Sequence, residues 1–368
     1  MYKPIPALIP VLYIPGMIYR AGVHLRNRAF DAGFASARSL TRPIVSVGNL
    51  TLGGTGKTPF VIYLAGLLKE MGHEAAVLTR GYGRRKSGKT IILPPGKGDL
   101  AASLTGDEPA LIRRRLPEVW LGISSDRFCA ANAIMRHEKL ATAARLVFIL
   151  DDGFQRRDIC RDLDIVMVDS MQSLDTERLF PLGGLREPAA ELRRAHVVII
   201  NGTGISGTAG ARNSSVDAIM ENLRKYAPKA EFFHCIKRIR TILPFSAWLV
   251  SEASDHLSIP QSVQPKSAFL AAAIANPGCF KQDILNMGIE TPGCAFFSDH
   301  ALIGKKDWQI CVSAARAVKA EAIIITEKDA VKISSPPDFP LLVAVQDTDF
   351  PKAARFREIL QRSIQKYQ

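Results

Sequence analysis

Short runs of β-branched and other apolar residues alternate with segments of helical periodicity over most of the chain. In the first series, helical patterns begin near Lys57, Asp107 and Asp126. The apolar runs around them are nearly continuous: PIVSV, EAAVLT, TIILP, EVWLGI, RLVFIL, DIVMVD and HVVII. Strands that are buried on both faces are apolar at almost every position, as in a parallel sheet covered by helices on both sides. The first series therefore predicts a doubly wound, mostly parallel α/β sheet.

A second, shorter series follows the segment Asn201–Ser215, whose Gly, Ser, Thr and Asn residues predict a loop. Its apolar runs are EFFHCI, AFLAAAI, CAFFSDH, EAIIIT and PLLVAV, and its helical patterns cover Phe280–Met287, Asp307–Lys319 and Pro351–Tyr367. This order predicts a second, smaller α/β domain. With 368 residues, of which 47% are hydrophobic, the chain is long enough for two cores.

We therefore divide the chain into three parts: an N-terminal arm at 1–42, a first domain at 43–230, and a smaller domain at 231–368 that closes over a cleft. The arm contains an uncharged apolar segment, Pro4–Tyr19, followed by several arginines. This segment is shorter than the ~20 apolar residues of a membrane-spanning helix, and prolines interrupt it. Two interpretations remain open: an anchor in the membrane interface, with arginines on lipid phosphates, or an arm packed on the protein's own core.

Charge and cysteine content narrow the class of partner. Lys and Arg outnumber Asp and Glu by 48 to 35, a net charge of +13, so anionic partners are expected. The basic residues are spread along the chain and are not interleaved with aromatics, which disfavours nucleic acid. The six cysteines include no C-x-x-C pair, so we expect neither a zinc site nor a disulfide framework.

The segment SVGNLTLGGTGKTP resembles a phosphate-binding loop between a strand and a helix. Gly56, Lys57 and Thr58 match the end of the general pattern, whereas Thr51 stands where its first glycine is usual. The phosphates require inward-facing backbone N–H groups and little side-chain bulk, and the remaining glycines provide both. The alternative is a purely structural glycine-rich turn. The predicted nucleotide-binding residues are Thr51, Leu52, Gly53, Gly54, Thr55, Gly56, Lys57 and Thr58.

A nucleotide site also needs groups that hold Mg²⁺. Asp151 and Asp152 follow the apolar run RLVFIL and therefore lie at the carboxyl end of a predicted strand, where ligands bind in this fold class. We expect Thr58 and these two carboxylates to ligate the metal; the alternative is a β-turn closed by Asp-Asp-Gly. The segment TEKDAVK has the letters of a guanine-binding motif at the wrong spacing, so ATP is the expected nucleotide.

Seven blocks in order together resemble the tetraacyldisaccharide 4'-kinase family, enzymes of lipid A synthesis. They are SVGNLTLGGTGKTP, LTRGYGRR, GDEPALI, ILDDGFQRRDI, FPLGGLREP, FFSDHALI and TEKDAVKI. The resemblance implies ATP-dependent phosphorylation of the 4'-hydroxyl of a tetraacyldisaccharide 1-phosphate, with Mg²⁺ as cofactor. It also implies a peripheral or monotopic protein on the cytoplasmic face of the bacterial inner membrane, so it favours the anchor interpretation of the arm.

The resemblance further implies an Asp107–His300 pair, in which the carboxylate approaches the sugar hydroxyl and the imidazole orients it. Taken alone, Asp107 reads as a helix N-cap and His300 as a surface histidine, and the two meet only if the cleft closes. Arg80 and Arg127 are candidates for binding phosphate or transition-state charge; the alternative for each is a solvated surface charge.

Gln155 is expected to order the metal-side network, and Glu187 to hold Mg²⁺ or the glucosamine. Three departures from the family pattern concern the substrate side: Arg156 after the Gly-Phe-Gln block, Gly183-Gly184 within the Leu-Arg-Glu block, and Ala301 after His300. The competing function is a P-loop NTPase that acts as a switch or chaperone on a protein partner. That hypothesis leaves the seven blocks unexplained, and we infer no obligate protein partner and no nucleic acid.

Overall fold

The computed structural model describes residues 9–84, 88–96, 100–137, 145–171, 174, 177–203, 209–250 and 264–367. Residues 1–8, which begin the apolar arm, and Arg85 of the LTRGYGRR block lie outside this part of the chain.

The described residues form one twelve-stranded sheet, which confirms the predicted α/β fold. Its strands are β1 (Ile44–Gly48), β2 (Glu74–Thr79), β3 (Ile91–Leu93), β4 (Trp120–Ile123), β5 (Leu146–Asp151), β6 (Leu163–Asp169), β7 (Val197–Thr203), β8 (Glu231–Pro244), β9 (Ser267–Ala272), β10 (Glu290–Phe296), β11 (Ala322–Thr326) and β12 (Leu341–Asp349). The order across the sheet is β10-β9-β11-β12-β8-β7-β6-β1-β5-β2-β4-β3. Neighbouring strands are parallel except in the pairs β3/β4 and β8/β12.

Helices cover the sheet. They are α1 (Ile9–Asp31), α2 (Lys57–Glu70), α3 (Ala102–Thr105), α4 (Asp107–Arg115), α5 (Arg127–Met135), α6 (Ala209–Arg224), α7 (Phe245–Val250), α8 (Pro277–Asn286), α9 (Lys305–Ala317), α10 (Glu327–Ala330) and α11 (Ala353–Ile364), with short 3₁₀ helices at Ala189–Arg194 and Gln365–Tyr367. In the described part of the chain, no helix combines the length and hydropathy needed to cross a bilayer.

The long strand β8 determines how the two halves of the sheet face each other. Its first residues pair in parallel with β7, up to Thr203 opposite Lys237. Its later residues pair antiparallel with β12, from Asp349 opposite Ile236 to Leu342 opposite Pro244. Strands β9 and β11 run parallel to β12, so their carboxyl ends point back toward the carboxyl ends of β1, β2 and β5. The loops that follow both sets of strands therefore meet across one cleft.

The hydrophobic core of the first half includes the C-terminal helix. Phe60 and Leu64 of α2 pack with apolar residues of β1 and β5 and with Phe356 and Leu360 of α11. The rings of Phe60 and Phe356 have centroids 5.9 Å apart. The chain thus returns to its first half after building the second. The domain boundaries predicted from the sequence stay a prediction.

The arm, for which the sequence pattern predicted no secondary structure, is helical from Ile9, with Pro10 in the first turn, where the missing N–H is no loss, and Pro15 at an exposed stretch of the helix. One local expectation differs from the structure. The segment predicted as a loop carries strand β7 to Thr203 and helix α6 from Ala209, although residues 204–208 lie outside the described part. The composition did not indicate α6, because Ser, Asn and Gly, which are typical of loops, dominate its first turns.

Candidate active site

The phosphate-binding loop lies between β1 and α2, as its sequence predicts. Gly53 and Gly56 have φ of 102° and 82°, the left-handed region that glycine adopts without strain. A Cβ on Gly56 would lie 2.3 Å from Nδ2 of Asn201, which donates a hydrogen bond to the carbonyl of Thr55 at 3.0 Å. The loop can therefore follow this path only with glycine at position 56.

Thr51, at the place of the usual first glycine, is buried and faces the protein. It forms an antiparallel bridge with Leu185, and the next residue, Leu52, donates its N–H to the carbonyl of Gly184 at 2.6 Å. The following residues, Leu52 to Thr58, line a cleft of about 750 Å³ between the two halves of the molecule. Position 51 thus supports the loop from outside the cleft, where a side chain is tolerated.

Lys57 is held at the mouth of the loop by two partners. Its ammonium donates to Oδ1 of Asn49 at 3.0 Å and lies 3.3 Å from Oδ1 of Asp152. Arg186 also donates to both carboxylate oxygens of Asp152, at 2.7 and 2.9 Å. Burial opposes ionisation of Asp152, but Lys57 and Arg186 together hold its pKa well below the ordinary value. Asp152 is thus a fixed negative charge beside the predicted phosphate position.

The neighbouring Asp151 has a different environment. It is buried at the end of β5, where Thr79 donates a hydrogen bond to its Oδ2 at 3.0 Å. Burial, together with the nearby carboxyls of Glu108 and Asp152, raises the pKa of Asp151 to about 7. A cation placed among these carboxyl groups would relieve both the burial cost and the repulsion.

The donor set fits Mg²⁺ in combination with phosphate oxygens. No group of three or more His, Cys, Asp or Glu side chains suited to a metal occurs among the described residues. Mg²⁺ sites of nucleotide enzymes use one or two carboxylates, with phosphates and water as the other ligands. Thr58 on the first turn of α2 and the two aspartates line the same cleft, so they could supply the protein's share of the ligands.

His300 lines this cleft and meets the buried Asp107. Asp107 begins α4 and is buried, and its Oδ1 accepts the backbone N–H of Glu108 at 3.0 Å. Its Oδ2 lies 2.9 Å from Nδ1 of His300, so the pair implied by the family resemblance is already formed. Two further residues complete the cluster: Lys328 is 3.8 Å from Asp107 Oδ2, and Asp299 is 3.2 Å from the Lys328 ammonium.

The protonation of this cluster follows from its contacts. Burial by itself would raise the pKa of Asp107, but the hydrogen bond to His300 and the charge of Lys328 bring it below the ordinary value. Burial likewise would lower the pKa of Lys328, but Asp107, Glu108 and Asp299 raise it. At neutral pH the cluster therefore contains an ionised Asp107 carboxylate beside a Lys328 ammonium.

The two predicted arginines differ in exposure, although both line the cleft. Arg80 follows β2 and is exposed. Arg127 begins α5 and is buried, with one hydrogen bond from Nη1 to the carbonyl of Ser125 at 3.2 Å. Burial and the neighbouring Arg156 lower the pKa of Arg127 to about 10, so it stays protonated at neutral pH. Either guanidinium could bind an anionic group that enters the cleft.

Besides Thr51 and the buried Asp107, two predicted site residues do not line the cleft. Glu187 is completely buried and its carboxylate is ion-paired with Arg26 of α1 and with Arg194. A carboxylate enclosed by two guanidinium groups does not face a bound metal, so the structure does not bring Glu187 to the place expected of it. Gln155 lies behind the phosphate loop and donates from Nε2 to the carbonyl of Asn49 at 2.9 Å, supporting the residue that holds Lys57.

Sequence reasoning missed several residues that line the cleft, among them Thr79, Glu108, Arg186, Asp299 and Lys328. The first four are each adjacent in sequence to a residue that was selected. Asn49, which was also missed, is buried and holds Lys57. Arg186 directly precedes Glu187, which was selected in its place. Lys328 lies in the block TEKDAVKI, which supported the family resemblance but from which no site residue was selected. The sequence feature that could have indicated them is their place in a polar segment at the end of a strand. What the sequence could not show is which side chain of each block turns into the cleft.

Comparison with known proteins gives consistent results along nearly the whole chain. A family model described as tetraacyldisaccharide-1-P 4'-kinase matches residues 8–365. The tetraacyldisaccharide 4'-kinase of Geobacter metallireducens is 33% identical over 333 residues, which cover 89% of this chain and 88% of that protein. The enzyme of the same name from Aquifex aeolicus is 33% identical over 295 residues, 80% of this chain and 82% of that one. A crystal structure of LpxK from Aquifex aeolicus in complex with ATP matches with a TM-score of 0.70 and 26% identity, covering 97% of this chain and 99% of that one.

Proposed function

Because this chain belongs to the tetraacyldisaccharide-1-P 4'-kinase family, we propose that it transfers the γ-phosphoryl group of ATP to the 4'-hydroxyl of an acylated glucosamine disaccharide 1-phosphate, a step of lipid A biosynthesis. The observation that carries the proposal is one cleft lined by two chemically different sets of groups. The phosphate-binding loop with Lys57 lines it, and so does His300, which is bonded to Asp107. A phosphoryl donor and an alcohol acceptor need these two kinds of group to face each other.

The nucleotide end is proposed to bind ATP through the loop. Backbone N–H groups from Gly53 to Thr58 would hold the phosphates, with the amino end of α2 adding its partial positive charge. Lys57 is positioned to reach the β- and γ-phosphates once it exchanges its contact with Asp152 for them. Thr58, Asp151 and Asp152 would hold Mg²⁺. When bound, the ion would neutralise part of the negative charge of the phosphates.

At the acceptor end, Asp107 is proposed to receive the proton of the sugar hydroxyl. The carboxylate is ionised at neutral pH, and the contacts of Oδ2 with His300 and Lys328 fix its direction. Its pKa is low for a general base, which is consistent with a loose transition state in which the hydroxyl loses its proton late. Asp107 would thus orient the attacking oxygen first and accept its proton afterwards.

The guanidinium groups are proposed to stabilise the negative charge of the phosphoryl group during its transfer. Arg80 and Arg127 line the cleft, and Arg186 adds a third guanidinium beside Asp152. In a site of this kind, fixed cations stabilise charge on the phosphoryl oxygens without reorganising during the reaction. Arg80, which is exposed, is also suited to a phosphate of the acceptor.

Helix α1 is proposed to attach the enzyme to the cytoplasmic face of the inner membrane. One side of α1 packs on the protein: Tyr19 donates to the carbonyl of Arg186 at 2.9 Å, and Gly16 lies against Leu182. The other side exposes a stripe of large apolar side chains: Val11, Ile14, Ile18 and Leu25 are each 68–72% exposed. An apolar stripe with flanking arginines fits an anionic membrane interface, where an acylated acceptor would also reside.

The direct test measures transfer of labelled γ-phosphate from ATP to a detergent-dispersed tetraacyldisaccharide 1-phosphate, with Lys57→Ala as the blank. We expect labelled bisphosphorylated lipid from the wild type and none from the variant. Nucleotide hydrolysis that is insensitive to the lipid, with no labelled lipid, would reject the kinase proposal. That outcome would favour an NTPase that acts on a protein partner.

A further inference from the structure

The short helix α10 contacts both ends of α4, although α10 belongs to the second half of the sheet and α4 to the first. Glu327 and Lys328 are adjacent, but they reach residues at opposite ends of α4. Lys328 lies beside Asp107 at the first residue, and Glu327 pairs with Arg115 at the last. At 1.5 Å per residue these two contacts are separated by roughly 12 Å along the helix axis. Two contacts this far apart restrict both the distance and the tilt between the halves.

Arg115 is fully engaged by acceptors from the second half. Its Nη1 donates to both carboxylate oxygens of Glu327, at 3.2 and 2.9 Å, and to the carbonyl of Gln346 at 3.3 Å. Its Nη2 pairs with the carboxylate of Asp347. The side chains of Arg115 and Glu327 are 11% and 6% exposed. Although Arg115 borders the cleft, these contacts occupy its guanidinium, so it is not set to bind phosphate.

Glu327 is held as firmly on its other side. Its Oε2 accepts the backbone N–H of Gln346 at 3.1 Å, and its Oε1 lies 3.4 Å from the indole nitrogen of Trp248. The guanidinium of Arg114 stacks on the Trp248 ring at 3.8 Å from the ring centroid. The last turn of α4 thus contacts β12, α7 and α10.

A continuous set of bonds connects α10 to His300. The carboxylate of Asp329 accepts the backbone N–H of Ala273 at 3.2 Å, and the backbone N–H of His300 donates to the carbonyl of the same Ala273 at 3.3 Å. Lys332 pairs with Asp329 at 2.8 Å and donates to the carbonyl of Ala301 at 2.9 Å. His300 itself has φ of 63°, a strained conformation that surrounding bonds must maintain. A shift of α10 would therefore move the turn that carries His300.

We propose that Arg115 and Glu327 are positioning residues for phosphoryl transfer: their ion pair fixes α10 on α4 and thereby sets His300 and Lys328 on Asp107. The inference rests on the proposed kinase function and deepens it. A buried ion pair gains little net stability over apolar packing, because desolvating two charges offsets their attraction. Its directional bonds do fix the geometry, and a misplacement of about 1 Å near the reacting groups can cost on the order of 100-fold in rate.

The test compares Glu327→Gln, Arg115→Gln and the double variant in the lipid phosphorylation assay. Each single change is expected to lower kcat by roughly 10- to 100-fold, while the dissociation constant for Mg²⁺–ATP changes less than about two-fold, because the loop residues are untouched. The double variant should be no slower than the worse single variant, since both remove the same pair. Glu70→Gln is the matched control: it breaks the exposed pair with Arg357, 2.7 Å apart, and should leave kcat unchanged.

Outcomes that contradict the inference are distinct from a failure of the kinase proposal, which appears as absent transfer in the wild type. With an active wild type, unchanged kcat in both single variants overturns the positioning role. Weakened ATP binding with unchanged kcat also overturns it and makes Arg115 a nucleotide contact. If these variants unfold, Arg115→Lys tests the positioning role instead. It keeps one charged contact, so its kcat should lie below that of the wild type but above the loss expected for the Gln variants. Amide hydrogen exchange around His300 should accelerate in Glu327→Gln, and unchanged exchange there contradicts the proposed connection.

Discussion

Nδ1 of His300 lies 2.9 Å from Oδ2 of Asp107, although 193 positions separate the two residues in the chain. The contact exists because β8 reverses the direction of the second half of the sheet, so the turn after β10 faces the amino end of α4. The proposed acceptor site therefore belongs to neither half alone. Its chemistry depends on how the halves are held together.

Replacing Asp107 by Asn should separate catalysis from nucleotide binding. The amide keeps the shape of the carboxylate but cannot accept the hydroxyl proton, so kcat should fall by about 10²- to 10⁴-fold. Affinity for Mg²⁺–ATP should stay within about two-fold, because Asp107 is not part of the phosphate-binding loop and its contacts are with His300 and Lys328. Steady-state kinetics and equilibrium nucleotide binding measure the two effects. Lys57→Ala is the contrasting variant, and an equal loss of nucleotide affinity in both would contradict the division of roles.

Replacing His300 by Ala should move the acidic limb of the pH–rate profile to higher pH. Burial favours the neutral acid form of Asp107, while the bond to His300 and the charge of Lys328 favour the carboxylate and lower its pKa. Activity requires the carboxylate, so it is lost as the pH falls through this lowered pKa. Without His300 the pKa rises, and activity is lost at a higher pH than in the wild type. An unchanged acidic limb would mean that another group controls it.

The parts of the site that the sequence predicted are those fixed by local chain geometry. Gly56, Lys57 and Thr58 act within one turn between a strand and a helix, and Asp151 and Asp152 follow one apolar strand, so local pattern locates them. Glu187 was misplaced for a different reason. Its two partners are Arg26, far away in α1, and Arg194, and no local pattern reveals that α1 folds back onto this segment.

The same limit applies to the residues around Asp107. The family resemblance named His300 as a partner, but Lys328 and Asp299 join the cluster only through the reversed second half of the sheet. The sequence pattern made no prediction of secondary structure for the arm, and the prolines that were weighed against a membrane-spanning helix are compatible with the helix that forms. Pro10 is in a first turn, and Pro15 lies on a helix whose exposed side tolerates a missing hydrogen bond.

Gly56→Ala should abolish nucleotide binding and also destabilise the protein. The new Cβ would lie 2.3 Å from Nδ2 of Asn201, and φ of 82° costs an L-residue roughly 1–2 kcal/mol. Calorimetric nucleotide binding and urea unfolding measure the two consequences. The matched control is Gly66→Ala within α2, where the added Cβ meets nothing within 4 Å beyond its own helix backbone and helix propensity favours alanine. Retained ATP affinity in Gly56→Ala would contradict a phosphate-binding role for the loop.

Glu187→Gln should weaken the fold and leave the magnesium requirement unchanged. The buried carboxylate neutralises Arg26 and Arg194, so its loss should cost about 3–5 kcal/mol of unfolding free energy. The Mg²⁺ concentration for half-maximal activity should stay as in the wild type, whereas Asp152→Asn should raise it. Denaturant unfolding and magnesium titration of the kinase activity test both statements. A raised Mg²⁺ requirement in Glu187→Gln would restore it as a metal ligand.

Charges placed in the apolar stripe of α1 should release the protein from membranes without harming the nucleotide site. Ile14 and Ile18 are each 68% exposed and lie one turn apart on the side of α1 opposite its contact with Leu182. Each change to Glu removes an apolar group from the interface and adds a charge that anionic lipid repels, so Ile14→Glu with Ile18→Glu should lower vesicle binding at least ~10-fold. Leu302→Glu is the control, because Leu302 is similarly exposed, at 65%, but belongs to the loop between β10 and α9. Cosedimentation with vesicles of anionic or zwitterionic lipid measures the effect, and high salt should weaken wild-type binding to the anionic vesicles. Equal binding by the double variant and the wild type would reject α1 as the membrane contact and leave it as an arm that serves only the protein's own fold.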